Sequence, residues 1–228
     1  LNIATRNQNV EIFEAIFDFY GENIQSETSQ LNESIKIILG LKSRIQDHSI
    51  EKVKILLKRI LTIENIDYNC FNNENTILSF ACSINDLDLV KYLLNTNKVD
   101  VNLSDPNEGN TALIKSIKSK NYEIAKLLIE YSMTDINISN CRSETALTSA
   151  VENETEEIVK CLIQSPKFES TRSRLDYAFY ISTPKICKLL ISCPNLDVNY
   201  VHKDKFTQRE SDFPFHSKLT NENNSEIF

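Results

Sequence analysis

The residue types that most often do chemistry are sparse in this chain, and their spacing brings few of them together. His48 lies far along the sequence from His202 and His216, whereas a general base needs its partner within hydrogen-bond reach. The cysteines, at positions 70, 82, 141, 161, 187 and 193, form no C-x-x-C pair and no zinc-finger spacing with histidine. His202 with Asp204, and Cys187 with Cys193, come nearest to a metal pair. Two ligands fall short of the three or four that a metal site needs. There is no H-E-x-x-H, and with three glycines in all there is no Gly-rich phosphate loop. No catalytic residue, metal ligand or cofactor site is expected, and the chain is not expected to be an enzyme. What remains is recognition by a surface.

The elements that would build such a surface are repeated. The stretch Thr111 to Glu130, TALIKSIKSKNYEIAKLLIE, recurs in altered form upstream and downstream. Its lysine recurs as Lys54, Lys91, Lys126, Lys160 and Lys188, at intervals of 37, 35, 34 and 28 residues, the range of helical solenoids. Next to each apolar stripe, this lysine column reads as a solvated helix face. Five positions before the lysines stand Ser49, Asp86, Asn121, Thr155 and Thr183, and the same offset in the N-terminal segment gives Asn9. Short polar side chains of this kind accept from the free N–H groups of a first helical turn. Pro184 after Thr183 suits a first helical position. Each unit therefore predicts two helices, the second beginning at this column.

Taken in order, residues 1–20 read as a partial repeat entered inside its first helix, so a fragment with further repeats upstream is expected. Residues 21–33 read as a polar loop, and 34–66 as a divergent repeat with Ser49 capping its second helix and Arg44 where other copies carry a small residue. Residues 67–99, 100–134 and 135–168 are the regular copies. They open DYNCFNNENTILSFAC, DVNLSDPNEGNTALIKSI and DINISNCRSETALTSAV. Thr76, Thr111 and Thr145 are placed to cap the first helices. Gly109 suits a positive φ, with Asn75 and Ser143 less suited at the same point. Residues 169–196 form a shortened repeat. Residues 197–228 hold an incomplete repeat and an irregular tail, whose Phe206, Phe213 and Phe215 are expected to fold back over the last apolar face.

Composition narrows the partner. A net charge of −7 argues against general binding to nucleic acid or an anionic membrane surface, which would need a basic face. No apolar run approaches the length needed to cross a bilayer, and no membrane insertion is expected. The cysteines fall largely at helical repeat positions and read as thiols in a reducing compartment. A cytoplasmic protein with a protein partner, and with no small molecule, is the expectation.

The regular copies resemble ankyrin repeats. TILSFA at Thr76, TALIKS at Thr111 and TALTSA at Thr145 match the motif that opens the family's first helix, and LDLVKYLL, YEIAKLLI and EEIVKCLI match its second. They depart from it where Ser79, Ile114 and Thr148 replace the family's His. They also depart where Asn85-Asp86, Lys120-Asn121 and Glu154-Thr155 replace its Gly-His turn. The resemblance covers residues 67–168 strongly and most of 1–207 loosely. It implies an all-α solenoid of stacked antiparallel helix pairs joined by hairpin-like loops, working as a non-catalytic scaffold or adaptor. A targeting or regulatory segment of a larger kinase or ubiquitin ligase is the alternative it leaves open. It further implies that a protein partner lies against the loop tips and first helices. Matching tip positions are Asn73, Glu74, Asn107, Glu108, Asn110, Arg142 and Glu144. Matching first-helix positions are Ser83, Ile84, Lys118, Ser119, Glu152, Asn153 and Tyr180.

Overall fold

The computed structural model describes residues 32, 35–36, 47–62, 66–71, 75–169, 178–192, 202–203 and 210–211. Its helices are α1 (Asp47–Ile60), α2 (Ile77–Ser83), α3 (Leu87–Asn95), α4 (Ala112–Lys118), α5 (Tyr122–Glu130), α6 (Ala146–Glu152), α7 (Glu156–Gln164) and α8 (Pro184–Ile191). One strand pair accompanies them: β1 (His202–Lys203) runs antiparallel to β2 (Glu210–Ser211). The fold is all-α, built of paired short and longer helices as the repeat predicts. The chain divides into two compact units, Leu1–Ser116 and Ile117–Phe228.

Within each unit the second helices bury apolar positions one helical turn apart. These are Leu89, Val90, Leu93 and Leu94 on α3, Ile124, Ala125, Leu128 and Ile129 on α5, and Ile158, Val159, Leu162 and Ile163 on α7. In the second unit α7 packs against α5, α6 and α8, and in the first α2 packs against α3. Burying one such Leu or Ile contributes roughly 1.5–3 kcal/mol, so each four-residue stripe is a substantial part of a repeat's stability. Ala81, Ser116, Ala150 and Ala178, the small column, are fully buried. The carbonyls of Ala81 and Ala150 accept the N–H of Asp86 and Thr155 across the helix turn, a close approach that explains why the column stays small.

The first helices start as the sequence predicts. The Thr76 hydroxyl accepts from Ser79 N while the Ser79 hydroxyl accepts from Thr76 N, and Thr145 with Thr148 repeats this reciprocal box. Ser79 and Thr148 thus supply a bond of their own where the family has His. Thr111 accepts from Ile114 N at 3.3 Å, but Ile114 has no polar atom to return it.

The second-helix caps need correction. The column does mark where α3, α5, α7 and α8 begin, but of these Asp86 alone closes the side-chain bond, to Leu89 N. Thr155 turns its hydroxyl back to Ala150 O, while Asn121 and Thr183 make no side-chain cap bond. Ser49 is no cap: α1 already starts at Asp47 and carries Ser49 inside it. Gly109 (φ 73) and Ser143 (φ 61) are in the left-handed region. Asn85, Lys120 and Glu154 adopt the same conformation at the helix–helix turns, where the family has Gly. Of the expected polar loop only Asn32 is described, and it is helical. Asn9, Arg44, Phe206, Phe213 and Phe215 lie outside the described residues.

The Asp-x-Asn openings have a physical role. Asp67, Asp100 and Asp135 accept from the N–H of Asn69, Asn102 and Asn137, two residues on, closing the same turn three times. The Asn amide then clamps the next copy. Asn69 donates to Lys98 O and accepts from Asp100 N, and Asn137 donates to Lys167 O and accepts from Glu169 N. Asn32 accepts from Asp67 N in the same manner. One side chain satisfies two backbone groups of its neighbour, which fixes the stacking distance.

Candidate protein-interaction surface

Two loop tips are described in full, one in each unit. In the first, the Asp105 carboxylate is buried and accepts from the backbone N–H of Asn107, Glu108 and Asn110 at 3.1, 2.8 and 3.0 Å. Paired Asp105–Asn110 backbone closes the loop, with Gly109 in the left-handed turn. Lys115 lies 3.5 Å from the same carboxylate and donates to Asn75 Oδ1. The charge buried at the base of the tip is therefore compensated by a cation and three N–H donors.

In the second unit Asn140 does the same work without charge. Its Oδ1 accepts from the N–H of Arg142 and Glu144, both at 2.9 Å, and its Nδ2 donates to Glu144 Oε2. Ser143 takes the left-handed position. The carboxylate has moved to Glu144, which also accepts from Lys118 Nζ on α4. The bond from Lys118, aided by Asn140, holds the Glu144 carboxyl below the usual carboxylate range.

The predicted surface residues separate into three groups. Asn107, Ser119, Arg142, Glu152 and Tyr180 are exposed, and Tyr180, in the helical stretch 178–181, is 69% exposed. Ser83, Ile84, Glu108, Lys118, Glu144 and Asn153 are half-buried. Several of these are tied locally: Lys118 to Glu144, Ser83 to Phe80 O and Asn153 to Ser149 O. Asn110 is a correction, since its side chain turns inward, is buried, and donates to Glu108 Oε2. Asn73 and Glu74 lie outside the described residues.

Sequence reasoning missed the organisers beneath the tips, Asp105 and Asn140, and the clamping Asn69 and Asn137. Their signal was present: Asp105 and Asn140 stand five residues after the Asp that opens each copy. The lysine column behaves as a solvated face, with Lys91, Lys160 and Lys188 exposed and Lys126 donating to Glu157. No helix among the described residues is long and apolar enough to cross a membrane.

Residues 41–140 match the family model for ankyrin repeats in three copies. Residues 41–140 are therefore ankyrin repeats. The match ends at residue 140, yet the reciprocal cap, the left-handed helix turn and the Asn clamp recur in residues 135–169, so the described geometry carries the ankyrin pattern one copy further. Among curated proteins, alpha-latrotoxin-Lg1a of Latrodectus geometricus is 32% identical over 126 residues, which is 54% of this chain and 9% of the relative. Alpha-latroinsectotoxin-Lt1a of Latrodectus tredecimguttatus is 30% identical over 105 residues, 45% of this chain and 7% of the relative. The chain thus spans under a tenth of the length of these two relatives. Ankyrin repeats are in general modules of protein–protein interaction.

Proposed function

We propose that the chain is a non-catalytic scaffold or adaptor that binds a protein partner through its loop tips and first helices. One observation carries the reading. Beneath the second tip the polar groups are satisfied by Asn140 and Glu144, while Arg142 at the tip and Tyr180 on a first-helix segment stand in solvent. Arg and aromatic side chains dominate the energetics of protein interfaces. Their exposure serves no core, and the repeat fold frees this surface to vary. Cys70, Cys82, Cys141, Cys161 and Cys187 are thiols rather than disulfides, which supports a cytoplasmic setting.

The test is capture from the source cell's lysate, with residues 1–228 and with a version carrying Glu108→Ala, Arg142→Ala and Tyr180→Ala. Circular dichroism checks that both fold. Recovery of a defined protein by the first bait and its loss with the second is the expected result. Equal recovery by both baits contradicts the face, and recovery by neither contradicts the scaffold.

A further inference from the structure

In the second unit a groove of about 490 Å³ opens beside the second helices α5 and α7, within the size range of small-ligand sites. Ile129, Cys161 and Pro166 give it an apolar lining, with Lys126, Glu130 and Lys167 among its charged groups. The two lysines differ. Lys126 is answered by Glu157. Lys167 Nζ is half-buried and donates to a neutral acceptor, the Tyr131 carbonyl, at 2.8 Å. Desolvation pushes its amine below the usual lysine range, opposed by the charge of Asp135. Glu130, on the same lining, is exposed. An ammonium that donates to a neutral carbonyl beside an apolar wall is partly desolvated and keeps N–H donors for a further acceptor.

We propose that this groove binds a small amphipathic monocarboxylate, with the carboxylate on Lys167 and a short apolar body over Ile129, Cys161 and Pro166. The site goes beyond the protein-binding surface, because it is built from second helices and the turn after α7 and not from tips or first helices. It also departs from the sequence expectation of no small molecule. An anion gives Lys167 a charged acceptor beside the neutral Tyr131 carbonyl, and a charge-assisted bond in a partly desolvated site is among the stronger polar contacts. An alcohol of the same length fills the apolar wall but leaves the ammonium unanswered.

The test is an amide NMR titration of the 228-residue chain with hexanoate, with hexanol and hexylammonium as the other arms. Saturable shifts confined to residues 126–132 and 161–167 are expected with hexanoate. Hexanol should bind at least about 10-fold more weakly, and hexylammonium should show no saturation. Lys167→Met should weaken hexanoate at least about 10-fold while leaving hexanol unchanged, and Lys167→Arg should stay within about 3-fold of the native chain. Because Lys167 also ties down Tyr131 O, unchanged hexanol binding by the Met variant shows that the groove survives. Hexanoate binding that ignores Lys167→Met, or that matches hexanol, overturns the proposal, as does the absence of saturable shifts. None of these outcomes touches the loop-tip reading.

Discussion

The two loop tips solve one backbone problem with opposite electrostatics. At residues 105–110 the organiser is charged and buried, Gly109 takes the left-handed position, and Lys115 balances Asp105 from within the same unit. At residues 140–144 the organiser is neutral, Ser143 takes the left-handed position, and the ion pair has moved outward to Glu144 and Lys118. Both tips close with paired backbone bonds. The repeat therefore demands a side-chain acceptor at that point, not a particular residue, and where the charge sits is left to the individual copy. That freedom separates the part of each copy that holds the fold from the part that a partner can read.

The largest difference is expected on deleting the organisers. Asp105→Ala leaves three N–H groups without their acceptor and removes the counter-charge facing Lys115, and a loss of about 2–4 kcal/mol is expected from urea midpoints at constant slope. Asn140→Ala removes two accepted bonds and one donated bond but no charge, and about 1–2 kcal/mol is expected. Equal losses would break the comparison, because they would mean that the buried charge at Asp105 adds nothing.

Next come the left-handed residues. Gly109→Ala forces a Cβ into that region and should cost about 1–2 kcal/mol, whereas Ser143→Gly should stabilise by about 0.5–1 kcal/mol after the entropy of the unfolded glycine is set against it. Thermal midpoints moving in opposite directions would show that the first tip is relaxed and the second strained. Lys120→Gly and Glu154→Gly, at the helix–helix turns, should behave as Ser143→Gly does.

Much of this fold was legible because its signals are residue types at fixed offsets. The Thr caps, the small column and the left-handed Gly109 follow from backbone chemistry that each copy repeats. Ser49 misled because Asp47, two residues earlier, is an equally good polar start, and the offset that works elsewhere shifts in a divergent copy. Asn110 misled for another reason. A polar residue in a polar turn suggests exposure, but the donors at this tip converge inward on Asp105. The groove holding Lys167 gave no sequence signal, since it arises from neighbouring second helices whose residues lie more than thirty positions apart.

The smallest effects are at the outer ion pair. Because the folded-state Glu144 carboxyl is held below its usual range, its contribution is present at neutral pH and is lost as pH falls through the folded value. The stability gap between the native chain and Glu144→Gln should be widest near neutrality and close in acid. A gap that widened in acid would reverse the assigned sign. Lys118→Ala should cost about 0.5–1 kcal/mol at low salt and less at high salt, as a partly exposed pair does.

The most direct test of the central claim is hydrogen–deuterium exchange of the chain with and without its captured partner. Added protection at the amides of Asn107, Glu108, Arg142 and Ser143 and of residues 178–181, with α5 and α7 unchanged, is the predicted result. Protection confined to α3, α5 and α7, with the tips exchanging as in the free chain, would place the partner on the second helices and contradict it.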